Sequence, residues 1–427
     1  MAWEGKVMMA CAAGLLAIGV VMVRSAGAEV GAELAADPAV IAAGEAAPAA
    51  VISLQDRLAT LGDRTAVYAV LAIAAMLLCS RLDLTRWGPH GQFQGQPPSH
   101  RLGWRALPVL GLMGVAAGLQ LLTLIPGVGL EANGAVRWLG VPVPGLGLLT
   151  FQPSELMKWA AVLALAWWAA ARGAAMRHAI TGLLPGLVIL GGVCALVVLE
   201  DFGTAVLIGA AGVAILLAAG ARVWQIGGLA VAGVAGAVAL IAQSDYRSAR
   251  VLAFLDPWAD PAGTGYHPIR AMAAMAQGGW SGRGLGHGVQ KFGYLPEDTT
   301  DFIYAIVCEE LGLAGAVLVV GLLIAVLALG WRIGASSRSP FVTLAAVGVI
   351  ATVGVQALIN VAVVTVVMPT KGIALPLVSH GGTGWVVTAA MVGLLASAGR
   401  SLSSVTEEPV EAMKGREHSE FAAATQA

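Results

Sequence analysis

The residues most able to do chemistry lie where polar stretches meet apolar runs. In Thr299-Thr300-Asp301-Phe302-Ile303-Tyr304, a carboxylate stands at such a border. Asp301 there can cap a helix start by accepting orphan backbone N–H groups. Partly desolvated, it can instead accept a proton as a general base. The cap is the plainer reading of the local sequence, and the base stays open. Glu309 and Glu310 follow on the same helical stretch, about 80° and about 180° around from Asp301, so the two acids cannot both share its face. Their plain reading is a buried ion pair. Glu155 and Lys158, three apart in Phe151-Gln152-Pro153-Ser154-Glu155-Leu156-Met157-Lys158, read equally well as a start-of-helix salt bridge or as functional groups. Arg137, Lys158, Arg247, Arg250, Arg283, Lys291 and Lys371 fall near Gly-rich loops. Clustered, they would suit a diphosphate. Gly278-Gly279, the alternating glycines from Gly282 to Gly288, and Gly381-Gly382 would let backbone N–H groups approach phosphate. The sequence has no Walker loop, no HExxH and no G-x-S-x-G, and His267, His287 and His380 are scattered. A nucleoside-triphosphate loop, a zinc site and a serine hydrolase are therefore not indicated.

What must hold these groups is a membrane-embedded bundle. Of 427 residues, 58% are hydrophobic and 11% charged, less than half the roughly 25% of a soluble domain. A bilayer absorbs that much apolar sequence; a water-soluble core does not. A soluble enzyme, a nucleic-acid binder and a disordered chain are excluded. Ten apolar runs are expected as spans, at 7–23, 65–80, 104–125, 153–171, 180–199, 203–220, 223–243, 302–330, 341–367 and 383–399. The eighth is long enough to tilt or to begin above the membrane. With both termini cytoplasmic, thirteen of the 24 Lys and Arg residues but only seven of the 25 acids lie inside. The short inner loops at 172–179, 220–222 and 331–340 contain Arg and no acid, as the positive-inside rule favours. Residues 1–28 could alternatively be a signal peptide, with Ala26-Gly27-Ala28 in A-x-A form, although Glu4 offsets Lys6. Cys11, Cys79, Cys194 and Cys308 lie in or beside apolar runs and read as packing residues. The outer side then holds an Ala-rich connection at 31–50, a Gly- and Pro-rich loop at 126–152, a long polar loop at 244–301 and a Pro/Gly-broken segment at 368–384. The expected organisation is a polytopic membrane domain over 1–400 and a disordered cytoplasmic tail over 401–427. No internal repeat stands out, which weakens a transporter reading.

Taken together, the loop segments resemble the SEDS family (shape, elongation, division, sporulation) of polytopic peptidoglycan glycosyltransferases. The resemblance rests on Val20-Val21-Met22-Val23-Arg24-Ser25-Ala26, Asn133-Gly134-Ala135-Val136-Arg137-Trp138-Leu139-Gly140, the segment from Phe151 to Lys158, and Asp201-Phe202-Gly203-Thr204-Ala205. It continues through Phe254-Leu255-Asp256-Pro257-Trp258, Gly265-Tyr266, Gln290-Lys291, Tyr294-Leu295-Pro296-Glu297 and Thr300-Asp301-Phe302-Ile303. It ends with Pro369-Thr370-Lys371-Gly372 and Pro376-Leu377-Val378-Ser379-His380-Gly381-Gly382. These segments cover the ten spans in order. The Lys of Pro-Thr-Lys-Gly, with Asp256-Pro257-Trp258 and Tyr294-Leu295-Pro296-Glu297, resembles the division branch more than the elongation branch.

The resemblance implies an all-α integral membrane fold and an inverting glycosyltransferase that polymerises lipid II, a disaccharide-pentapeptide on undecaprenyl diphosphate. It implies that Asp301 is the base. It also implies that Arg137, Glu155, Lys158, Lys291, Lys371, Ser379, Gly381 and Gly382 contact substrate or diphosphate. Mg²⁺ or Mn²⁺ could assist the leaving diphosphate, and no organic cofactor is expected. The implied partners are a class B penicillin-binding transpeptidase and other division proteins at the septum of the bacterial plasma membrane, with no nucleic acid. Four departures stand out: Thr299 where the family has His, Glu200 where it has Pro, residues 267–271 (HPIRA) in place of a Gln-rich stretch, and Ser379-His380-Gly381-Gly382-Thr383-Gly384 in place of Ser-Tyr-Gly-Gly-Ser-Ser. Two rival readings are a lipid II flippase and a non-catalytic scaffold for the transpeptidase. A flippase needs polar groups through the membrane depth, whereas the motifs here concentrate on one side.

Overall fold

The structure is a computed structural model that describes residues 3–36, 54–89, 103–132, 135–144, 147–243, 245–291 and 300–400. Several segments read above lie outside the described residues: the tail at 401–427, most of the Ala-rich connection, Asn133-Gly134, Tyr294-Leu295-Pro296-Glu297 and Thr299. Helices α1 (Trp3–Ala36), α2 (Leu54–Cys79), α3 (Leu107–Thr123), α4 (Pro153–Arg172), α5 (Leu184–Val198), α6 (Phe202–Ala218) and α7 (Val223–Ala242) fall on the first seven apolar runs. Helices α8 (Asp245–Leu255) and α9 (Tyr266–Gly278) lie within the long polar loop. Helices α10 (Ile303–Ser336), α11 (Pro340–Val364) and α12 (Thr383–Ala398) fall on the last three runs.

Among the described residues, six helices are long and apolar enough to cross a membrane, and four shorter apolar helices occupy the other four runs. Helix α1 continues unbroken through Ala26-Gly27-Ala28. Local signals set the helix ends. Pro153 opens α4 with Glu155 in its first turn, and Arg172 closes it before Gly173. Asp201 caps α6 by accepting the Thr204 N–H at 3.0 Å.

The all-α expectation needs one correction. The Gly- and Pro-rich loop folds as a three-stranded antiparallel sheet of β1 (Gly129–Ala132), β2 (Ala135–Val143) and β3 (Gly147–Phe151). Its β2–β3 register runs from Leu139 opposite Phe151 to Val143 opposite Gly147. Strands this short, interrupted by Gly and Pro, carry little periodic signal, yet pairing satisfies their backbone groups. The sheet leads directly into α4 and presents Arg137.

A second difference concerns α10. Gly312, with φ +65° and ψ −163°, breaks it into two helices. Backbone from the preceding loop enters the break. Arg283 and Gly284 N–H donate to Glu309 and Glu310 O, both at 3.0 Å, while Leu313 and Ala314 N–H donate to Gly279 and Trp280 O at 3.0 and 3.3 Å. Every carbonyl and N–H freed at these positions is thereby re-paired. A Cβ on Gly312 would stand 2.3 Å from Gly282 N, so only glycine permits both this φ and this approach.

Candidate functional site

Helix α10 starts without a side-chain cap. Phe302 holds the cap position and makes no side-chain hydrogen bond there. Asp301 is therefore not the N-cap that its local sequence favoured. It lines a cavity of about 360 Å³ instead. That cavity is also lined by Lys371 and Thr370 of the Pro-Thr-Lys-Gly loop, by Arg250 of α8, and by Asp260, Thr264 and His267 around the start of α9.

The loop after α11 brings Lys371 to this place. Arg250 Nη1 donates to Thr370 O at 3.2 Å. The Lys371 ammonium lies 4.3 Å from the centre of the Phe202 ring, a cation–π contact that seats the loop on the start of α6. Gly372 packs directly on the base candidate: a Cβ there would stand 2.9 Å from Asp301 Oδ2. His267 stacks on Phe302 with ring centres 5.7 Å apart and planes 18° from parallel. The Asp260 carboxylate is held below its ordinary pKa, chiefly by the Thr264 N–H and further by the Thr264 hydroxyl and Gly263 N–H, so the cavity rim keeps its negative charge at neutral pH. The His380 imidazole is pushed below its ordinary pKa by burial, which favours the neutral form.

Beneath the loop, buried polar groups on α4 and α11 form its floor. Lys158, fully buried, donates to Glu155 Oε2 at 2.9 Å and to Gln356 Oε1 at 3.1 Å. Gln356 Nε2 donates to Ala374 O at 2.8 Å. Asn360, one turn later, donates to Asp301 O and Ile373 O, both at 2.8 Å. Polar irregular backbone is tolerated beside apolar spans when protein groups satisfy it in this way. Ser379 braces the same loop by accepting the Leu375 N–H at 2.7 Å. Gly381 and Gly382 lead into α12, with Gly382 against the Tyr68 ring.

The sequence-derived set therefore separates. Asp301 and Lys371 share the cavity, while Glu155, Lys158 and Ser379 support its loop from below. Arg137 lies on β2, where its Nε donates to Glu200 O at 2.6 Å. The Glu200 carboxylate accepts from Gln120 and Thr123, so the departure at 200 ties the residue just before α6 to α3. Lys291 is elsewhere: fully buried, it bonds Glu310 at 2.7 Å and Ser25 Oγ at 3.2 Å. Sequence reading passed over Gln356 and Asn360. Two amides four residues apart in an otherwise apolar run were the available signal. Among the described residues no three His, Cys, Asp or Glu side chains converge as a metal site.

The profile of FtsW/RodA/SpoVE proteins, described as cell cycle proteins, matches residues 99–404. The probable peptidoglycan glycosyltransferase FtsW of Nitrosococcus halophilus is 42% identical over 68% of this chain and 75% of that one. Its counterpart in Geobacter metallireducens is 34% identical over 78% and 83%. Stage V sporulation protein E of Bacillus subtilis is 34% identical over 70% and 80%. Among solved structures, a chain of a peptidoglycan synthase complex that coordinates polymerization and crosslinking is similar with TM-score 0.61 and 26% identity, over 90% of this chain and 97% of that one. The rod shape determining protein RodA of Thermus thermophilus has the same fold, with TM-score 0.57 and 22% identity over 92% and 95%.

Proposed function

The chain belongs to the FtsW/RodA/SpoVE family of cell cycle proteins, and from that premise we propose how its cavity works. It is a peptidoglycan glycosyltransferase of cell division. Its substrate is lipid II. The 4-hydroxyl of one GlcNAc attacks the anomeric carbon of a second lipid-linked sugar and expels the lipid diphosphate with inversion. Asp301 accepts the hydroxyl proton as the new C–O bond forms. Lys371 and Arg250 face the diphosphate, whose charge grows as the old C–O bond breaks. The observation that carries this reading is that Asp301 lines one cavity with two cations instead of capping its helix.

The chain crosses the bacterial plasma membrane ten times with both termini in the cytoplasm. The six long and four shorter apolar helices support this, as does the excess of Lys and Arg in the inner loops. It works at the division septum with a class B penicillin-binding transpeptidase. A synthase complex among the similar structures supports that pairing. The test is polymerisation of lipid II by the purified chain with its transpeptidase. Wild type should make glycan strands and Asp301→Ala should not. Transport of lipid II across vesicles without polymerisation would favour the flippase instead.

A further inference from the structure

We infer that Asn360 is the positioning residue that sets Asp301 against the Lys371 loop. This inference rests on the reading of Asp301 as the base. Asn360 is 1% exposed, on the buried face of α11. Its single Nδ2 donates to two backbone carbonyls from different parts of the chain, Asp301 O and Ile373 O, each at 2.8 Å. The first helical N–H groups of α10, from Ala305 and Ile306, go to Phe302 O, so the Asp301 carbonyl meets the amide just outside that ladder. Ile373 follows Gly372, whose backbone packs on the Asp301 carboxylate. One amide thus ties the base's own backbone to the loop that carries the cation.

The amide orientation is fixed by its partners. Both are acceptors, so turning Oδ1 toward them would set oxygen against oxygen. Oδ1 itself has no hydrogen-bond partner among the described residues. A buried acceptor in that state costs stability that an apolar side chain would avoid. What Asn360 supplies is therefore its two donors. Gln356, one turn earlier, is the internal control. It holds the neighbouring carbonyl, Ala374 O, and Lys158, with no bond to Asp301.

The test is lipid II polymerisation by the full chain with its transpeptidase, with kcat and KM separated and thermal midpoints measured. Asn360→Leu keeps the volume and removes both donors. It should lower kcat by about 100-fold, the scale of an ångström-sized misplacement, with KM within about threefold, and lower the midpoint because two carbonyls lose their donor. Gln356→Leu should lower kcat by about fivefold or less, because only the loop side is loosened. If Asn360→Leu does not fold, Asn360→Ser retains one donor and should lower kcat by about tenfold at unchanged KM. A wild-type kcat in the variant that folds overturns the inference. So do equal losses in Asn360→Leu and Gln356→Leu, a change confined to KM, or failure of both Asn360 variants to fold. A wild-type protein that makes no glycan strands contradicts the function reading instead.

Discussion

Two groupings of lysine and carboxylate lie at the N-terminal end of α10, and they differ in what surrounds them. In the first, Asp301 and Lys371 line a cavity of about 360 Å³, with the carboxylate against Gly372 and the ammonium over Phe202. In the second, Lys291 and Glu310 are both fully buried and paired at 2.7 Å, with Ser25 completing the cluster. Glu309 and Glu310 also accept N–H groups from Gly286, Val289 and Gln290, which clasp the Gly-rich loop to the broken helix. On the proposed reading, the same residue types serve chemistry where they line a cavity, and serve folding where their hydrogen bonds are spent within the protein. Glu155 and Lys158 fall between the two: a nearly buried pair that supports the cavity's loop.

Variants can break or sharpen that contrast. The largest effect should come from Lys291→Ala, which leaves Glu310 buried and uncompensated. Thermal or denaturant unfolding in detergent should show a loss of about 3–5 kcal/mol. The double variant Lys291→Met with Glu310→Met should recover most of it, because the desolvation cost vanishes with the charges. Lys371→Ala should do the reverse: kcat for polymerisation falls by about 10²- to 10³-fold while the unfolding midpoint barely moves. Gly372→Ala pushes a methyl against Asp301 Oδ2. Steady-state kinetics should show kcat lowered by about tenfold, or about 1.4 kcal/mol in the barrier. The smallest effect should come from Arg283→Ala. Its side chain is 39% exposed and 3.8 Å from the buried Glu309 carboxylate, which keeps the N–H groups of Val289 and Gln290, so unfolding should register about 1 kcal/mol or less.

The parts of the molecule that repeat a strong physical signal were legible in the sequence. All ten apolar runs fall on helices because burial in lipid needs long uninterrupted apolar stretches, and Pro153 and Asp201 mark helix starts directly. The sheet at 129–151 was not legible, since its pairing depends on partners that no local pattern specifies. Nor was the break in α10, because Glu309 and Glu310 interrupt the apolar run without marking Gly312 as the point where the helix breaks. The choice of partner for Lys291 was out of reach too: one cation and several carboxylates along a chain do not reveal which pair is buried together. Asp301 was legible as a candidate, but its place one residue before the cap position was not, because that depends on where the helix begins to within one residue. Gln356 and Asn360 carry no charge, and an uncharged amide inside an apolar run is a weaker mark of function than an ionisable group.

The central claim is that the cavity carries the chemistry through Asp301. Asp301→Asn is the most direct test, because it keeps the shape of the side chain and removes the base. Lipid II polymerisation by this variant with its transpeptidase should fall by about 10²- to 10⁴-fold, with the unfolding midpoint unchanged. Polymerisation at the wild-type rate by a folded Asp301→Asn protein would contradict the account.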